Sequence, residues 1–592
     1  MQQNPEKRRP LLAVVLLALG LVFTLAPSAA MAQSDPAILP APTTTVQDAG
    51  PAANGYKVWH AGPVPRSWPV IFAAVPPGLD ITNANTPDVD TDNASYTWLF
   101  ATTPGGPVSS QACTVAGIPY QSPCTGKVAE YTFNGAGTFA AQCIISRGGQ
   151  QIAVLTTSVV VAPGINRNPT QHPMRREFRD LRIEDWNRYI SAARALKALK
   201  VWDHLALDHA MTFLNSSASP PGGNTRTIGH SSPAFLTWHR AFLRIVERLL
   251  QKVLMDNTFG LPYWDWTIDA AGGMFSSYPA DHPNLPWLKS FVPNAASPVP
   301  VFTDRYMGPT GPNGIPSGPV CSKQAPGGAN TCKTSWAFPA QFGLSSTIIT
   351  REVAAAAVKL PTPQQLQQLM QAGSYDTAPW ASAWPAPWAA NAPQSFRGGL
   401  EGWSASTGSG FHNDVHRWIG GTMLNVRYSC LDPVFFLHHT NVDRLFQLWQ
   451  QQHNCFGNEC FRPRAADLTA DMPGVIATRT GLRLRGHMID DTMAPWGVLH
   501  SDVWSTSGVV GEYEFVQPFN AAPLSAGAQA QIAAAGGAAK DASLPGTATG
   551  NAGTSGTGND AGSPTKSGTT TAALSASAML VAVLAISMIG LF

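Results

Sequence analysis

The pattern of apolar and polar positions divides the chain into stretches of different character. From Tyr56 to about Val161 it consists of short β-type runs broken by turns, such as Trp68 to Ala74, Ser95 to Phe100, Glu130 to Phe133 and Leu155 to Val161. Strands at such spacing predict a small β-sandwich. Around Arg175 the pattern turns helical: Arg175 to Leu181 leads into Trp186 to Ile190 and then Ala192 to Lys200, with apolar residues at helical spacing among good helix formers. A helix is expected over Val201 to Phe213. Another begins after Pro233, where Phe242, Ile245, Val246, Leu249 and Leu250 form a core-facing stripe and Arg240, Arg244 and Glu247 supply polar positions. Asn441 to Arg444 opens one more amphipathic helix. Helices mixed with long Gly/Pro loops, especially Ala271 to Ala340, continue to about Phe519. Beyond Pro523 the composition falls to Ala, Gly, Ser and Thr, as in a disordered stalk.

The two ends predict processing. Lys7, Arg8 and Arg9, an apolar run from Leu11 to Leu25, and Ala30-Met31-Ala32 make a secretory signal peptide. Small residues at Gly558 to Gly562, a polar spacer and an apolar tail from Ala572 to Phe592 match a GPI-anchor signal; a membrane-spanning tail is the alternative. The expected organisation is a signal peptide (1–32), a β-rich domain with a flexible lead-in (33–165), a mainly helical domain (166–520), a stalk (521–560) and an anchor signal (561–592). The protein is then extracellular, at the membrane face or in the wall, touching the membrane only through its C-terminal anchor.

Composition narrows the function. With 12% charged residues and a net charge of +2 over 592 residues, there is no electrostatic case for nucleic acid. The eight cysteines suit an oxidising compartment. Cys113 with Cys124, Cys321 with Cys332, and Cys455 with Cys460 are local pairs, leaving Cys143 and Cys430. Asn93 and Asn215 open N-glycosylation triplets.

The chemistry lies in the histidines. His412 and His416 are four apart, which on a helix places both imidazoles on one face, and the facing helix offers His438 and His439. Upstream lie His204, His209, His230 and His239. Eight of the 14 histidines thus sit in two apolar, helical windows, where unpaired imidazoles are costly. Two three-imidazole sites result. All-imidazole sites suit copper as well as zinc, and two adjacent ones argue for a redox pair.

These residues carry a specific resemblance. His230 with Trp238-His239-Arg240, Pro262 to Trp266, Leu400 to Trp403, His412 to Trp418, and the block Asp432-Pro433-Val434-Phe435-Phe436 with His438, His439, Asn441, Val442, Asp443 and Arg444 resemble the type-3 copper family, specifically the tyrosinases. The likeness spans about residues 170 to 520, and Gly486 to Met493 with Tyr513 to Phe515 resembles the end of that family's catalytic core. The segment Tyr131 to Phe139, followed by Cys143, is similar to the late strands of immunoglobulin-like or PKD-like modules and brings no catalytic cluster. Its expected roles are spacing, cell-wall contact or support of the next domain.

The resemblance implies a central four-helix bundle holding two copper ions, with His209, His230 and His239 on one and His412, His416 and His439 on the other. His209 is preferred over His204 because Asp203 stands six residues before it, as in bacterial-type relatives. His438 becomes a supporting residue, and Asp443 a candidate for fixing histidine tautomers, paired with Arg240 or Arg444. The family uses O2 to hydroxylate phenols at the ortho position or to oxidise catechols to o-quinones. Glu401 and Asn413 match the residues that hold a proton-accepting water in hydroxylating members. Val426 matches a position at the pocket rim, and Arg427 is placed to steer carboxylated substrates such as tyrosine or DOPA. Ile228 stands where many members carry a cysteine bound to a copper A histidine, so that crosslink is not expected, as in the bacterial type. The readings to separate are a tyrosinase serving melanin formation or wall crosslinking, a catechol oxidase, a hemocyanin-like oxygen carrier, and a surface binding protein with an inactive core.

Overall fold

The computed structural model describes residues 47–48, 54–79, 93–110, 124–163, 173–212, 229–271, 280–308, 349–377, 395–402, 410–467, 477–478, 481–482, 487–504 and 512–513, except 283, 295, 296, 304, 355, 356 and 494. The expected signal peptide, stalk and anchor signal, Asn215, Ile228, Trp403, Cys113 and the Cys321/Cys332 pair lie outside the described residues.

Up to Ala162 the regular structure is strand. β1 (Gln47–Asp48), β2 (Lys57–His60), β4 (Pro69–Val75) and β7 (Val128–Thr132) form an antiparallel sheet in the order β1-β2-β4-β7. β3 (Val64–Pro65), β5 (Ser95–Ala101), β6 (Val108–Ser109), β8 (Gly137–Arg147) and β9 (Gln150–Ala162) form a second sheet in the order β3-β9-β8-β5-β6. In β8 buried residues alternate with more exposed ones, as expected for a strand covered on one face. β4 differs: all seven residues are buried. On one side Phe72 packs against Trp98 and Phe100 of the other sheet, with ring centroids at 5.7 and 5.1 Å. On the other, Ile71 shares an apolar crevice with Ile245 and Leu249 of the helical region.

That region contains α1 (Ile183–Ala198), α2 (Val201–Met211), α3 (Phe235–Leu254), α4 (Trp266–Ala270), α5 (Leu285–Ser290), α6 (Pro363–Met370), α7 (Phe396–Glu401), α8 (Phe411–Ile419), α9 (Val434–Gln452) and α10 (His500–Trp504). α3 packs on α1, α9 and α10, and α9 also meets α8. The predicted α3 stripe is buried, from Phe242 to Leu250. Met174–Arg175 pairs in parallel with Glu512–Tyr513, tying the start of the helical region to its late sequence. A helical core accompanied by sheets is what the periodicity indicates. Among the described residues, no helix is long and apolar enough to cross a membrane.

Two of the polar positions of α3, Arg240 and Glu247, are fully buried. Arg175 lies between the acids, with Nε 2.8 Å from Glu247 and Nη1 2.9 Å from Asp443, and Asp443 also takes Arg240 at 2.5 Å. Periodicity assigns charges to solvent, but a helix packed on several sides must neutralise its charges internally.

Candidate metal centre

The four-residue spacing in α8 does what it predicts: the His412 and His416 rings lie 4.5 Å apart, one turn from each other. α9 crosses α8 so that Nε2 of His439 stands 3.2 Å from that of His412 and 3.3 Å from that of His416. Nδ1 of His416 meets the Met423 carbonyl at 2.8 Å, and Nδ1 of His412 meets the Asn413 side-chain carbonyl at 3.0 Å and the Glu401 backbone carbonyl at 3.3 Å. A carbonyl only accepts, so each Nδ1 carries the hydrogen and each Nε2 presents a lone pair. Two lone pairs therefore converge on the nitrogen of His439. A metal cation would satisfy all three nitrogens at once, whereas a proton on His439 could serve only one of the others.

The second cluster draws on three segments. His209 comes from the last turn of α2, His230 from the turn before Pro233 and His239 from the second turn of α3. The His230 ring lies 4.9 Å from both His209 and His239. His209 Nδ1 meets the Arg427 carbonyl at 3.1 Å, and His239 Nδ1 the Phe235 carbonyl at 2.8 Å. Their tautomers are fixed in the same sense, and Nε2 of His239 is buried with no hydrogen-bond partner. The clusters meet where the rings of His239 and His439 stack at 4.4 Å.

All six rings are buried, and the charged form is disfavoured. Burial comes first; it holds His209 at about 3 and His416 at about 4, and the others well below the ordinary imidazole range, where neighbouring imidazoles add to it. Neutral imidazoles are the ligand form. Each group brings its nitrogens within 4.8 Å of one another, and the group of His412, His416 and His439 also contains His438. Six neutral nitrogen donors in two adjoining groups, with no carboxylate among them, fit a pair of copper ions. His204 is not part of this arrangement; its neighbours are Glu130 and Asp208.

The remaining predicted residues surround these clusters. Glu401, 2% exposed, ends α7 and accepts from the backbone N–H of Ser231, next to His230, and from Nη1 of Arg397 at 2.9 Å. Gly402 follows with φ of 111°, and a Cβ there would lie 2.1 Å from the Gly410 carbonyl and 2.8 Å from Cβ of Asn413. Only glycine allows α7 and α8 to approach so closely, and this brings the Glu401 backbone carbonyl and the Asn413 side-chain carbonyl to the same Nδ1 of His412. Val426 is half-buried; the Arg427 side chain is exposed, while its carbonyl holds His209. The His438 ring stacks on His412 at 5.1 Å.

Asp443 has Arg240 as a partner, one of the two expected for it. Its two oxygens take Arg240 and Arg175, while Arg444 pairs with Asp265 at 2.6 Å. Backbone carbonyls meet Nδ1 of four of the histidines.

Sequence reasoning misses Arg397, which ties Glu401, four positions on, to Asp376, 21 positions before it, at 2.8 Å; the four-residue interval to Glu401 is a signal that could have found it. It also misses Phe435, whose ring stacks on His439 at 3.9 Å. The four-residue interval between Phe435 and His439 is a signal that could have found the second.

Comparison with known proteins agrees with this chemistry. Residues 199–452 match the family model described as the common central domain of tyrosinase. The chain is 30% identical over 326 residues to a tyrosinase of Streptomyces lincolnensis, covering 55% of this chain and 92% of that one. Against a tyrosinase of Streptomyces antibioticus it is 29% identical over 283 residues, covering 47% and 84%. Among solved structures, a tyrosinase from Burkholderia thailandensis aligns over 61% of this chain and 77% of its own, at 15% identity and a TM-score of 0.32.

Proposed function

From its place in the tyrosinase family, to which this chain belongs as a type-3 copper oxidoreductase with two copper ions, we propose that it oxidises both monophenols and o-diphenols to o-quinones with O2. Bound copper supplies the redox chemistry with O2. The chain's part is to hold, orient and exclude water. His209, His230 and His239 are proposed to hold one ion, and His412, His416 and His439 the other. The carbonyls of Arg427, Phe235, Glu401 and Met423 keep four rings in the tautomer that aims Nε2 inward.

The observation that carries the hydroxylating reading is the convergence of Glu401 and Asn413 on His412: the Glu401 backbone carbonyl and the Asn413 side-chain carbonyl share its Nδ1, while Ser231 and Arg397 hold the Glu401 carboxylate. A buried carboxylate can take a phenolic proton through a water if its geometry is fixed, and Arg397 with Ser231 fixes it here. Val426 and Arg427 are proposed to line and steer at the rim. L-tyrosine and then L-DOPA, supplied to the copper-loaded protein, test this. Colour from both is expected; colour from L-DOPA alone favours the second reading, a catechol oxidase, and none from either overturns both.

The same proposal includes the finer architecture, an immunoglobulin- or PKD-like sandwich beside a four-helix copper-holding bundle, and a biological role in melanin formation or wall crosslinking. Placement outside the cell on a lipid anchor rests on the sequence of the two ends. Release of the native protein by phosphatidylinositol-specific phospholipase is the expected result there, and retention counts against it.

A further inference from the structure

Where the strand region meets the helices, Glu130 of β7 faces His204 and Asp208 of α2. His204 and Asp208 are one helical turn apart on the same face. The three side chains are 7%, 1% and 2% exposed, and one ligand atom from each lies within 4.8 Å of the other two. Nε2 of His204 stands 3.4 Å from Oε2 of Glu130 and 3.7 Å from Oδ1 of Asp208. Charge-assisted hydrogen bonds close to about 2.7–2.9 Å, so these separations are too long for an imidazolium held by two carboxylates. They are close to the edge of a coordination tetrahedron, ~3.3–3.4 Å for metal–ligand bonds of about 2.0–2.1 Å. Independently, Oδ2 of Asp208 and Oε2 of Glu130 are buried with no hydrogen-bond partner. Two carboxylates brought into one dry seam repel each other and lose hydration, which a divalent cation between them reverses.

We propose that Glu130, His204 and Asp208 bind a divalent first-row cation of the zinc type, distinct from the copper pair and joining strand β7 to helix α2. One imidazole and two carboxylates form a mixed nitrogen–oxygen donor set suited to zinc, in contrast to the all-imidazole clusters. The site has a structural consequence. Asp208 immediately precedes His209, so the ion pins the helical turn that presents that histidine, and the strand region becomes a support for the core.

The test is metal counting on the copper-loaded full-length chain dialysed against Zn2+. One zinc per chain in addition to two coppers is expected. Glu130→Gln should weaken zinc binding by about 100-fold, the upper end of what even a change behind the ligands costs, with copper content unchanged. No zinc beyond the copper, zinc gained only as copper is lost, or equal zinc affinity in Glu130→Gln and the parent overturns the proposal. Should the variant not fold, diffraction from the parent at the zinc absorption edge decides: a peak among the three side chains supports the site, and no peak there overturns it.

Discussion

Oδ1 of Asp443 lies 2.5 Å from Nε of Arg240, and both side chains are buried. Arg240 follows His239 in α3, and Asp443 is one turn beyond His439 in α9, so the ion pair links the two helices that bring the metal clusters together. Arg175 completes the group from outside both helices. Removing one partner of a buried pair leaves the other charge without compensation, at a cost of about 3–5 kcal/mol. Asp443→Asn keeps the shape but leaves two guanidinium groups facing a neutral amide. The expected outcome is a stability loss of about 3 kcal/mol in denaturant unfolding, together with weaker copper retention on dialysis. Unchanged stability with lost activity would instead assign Asp443 to the chemistry.

Copper should count as folding energy for this core. Lone pairs of buried neutral imidazoles converge in both clusters, and a ligand that binds only the folded state adds about 2.7 kcal/mol when present at 100 times its dissociation constant. His239→Ala and His412→Ala should each lower the copper content from two ions to one, because each removes a donor from one cluster only. Calorimetry should show the parent losing thermal stability on chelation and each variant losing less. Copper content falling to zero in both variants would mean that the two sites fill only together.

The histidines were legible because a helix converts a four-residue interval into a shared face, as with His412 and His416. They were also legible because eight imidazoles in apolar sequence need a reason. The choice of His209 over His204 rests on resemblance to relatives; in the structure His209 faces His230 and His239, whereas His204 faces carboxylates. What could not be read was anything set by contacts distant in sequence. The resemblance pairs Asp443 with Arg240 or Arg444, and the Arg240 pair is present, but the backbone carbonyls that meet the histidines have no sequence signature. Periodicity marks Arg240 and Glu247 as polar positions, but it cannot show that Arg175 arrives from 72 residues before Glu247 to pair with it in the interior. The strands were legible as strands; the burial of β4 on both faces depends on a helix about 170 residues later in the chain.

Asn413 has two tasks that substitution should separate. Its side-chain carbonyl accepts from Nδ1 of His412 at 3.0 Å, the same atom that meets the Glu401 backbone carbonyl at 3.3 Å. If it also orients a proton-accepting water, Asn413→Ala should lower the rate on L-tyrosine by about 100-fold, the lower range of general-base contributions. The rate on L-DOPA should fall less than about tenfold, because His412 keeps the Glu401 carbonyl as its other partner. Steady-state rates on the two substrates, corrected for copper content, provide the check. Equal losses would leave Asn413 with only its support of His412.

The strand region should carry an acid sensitivity of its own through His60. Its Nδ1 accepts the Gly62 N–H at 3.1 Å, so the imidazole is held neutral, and its ring lies against Phe72. Burial, and then the charge of Lys252 from α3, lowers its pKa from 6.5 to about 4. The sign follows from linkage. Below 6.5 the unfolded chain takes up a proton that the folded one refuses, so stability falls with pH from about 6.5 and levels off near 4. The loss can reach about 3 kcal/mol, from 1.36 kcal/mol for each pH unit between those limits. His60→Asn retains an acceptor near Nδ1 and removes the titration. Thermal unfolding of parent and variant between pH 7 and pH 4 should therefore converge on a smaller acid loss in His60→Asn, with amide exchange in β2 and β4 reporting the difference. Identical pH slopes would show that His60 is protonated as easily in the folded chain as in the unfolded one. Lys252 would then not be pressing on it across the seam between strand and helix.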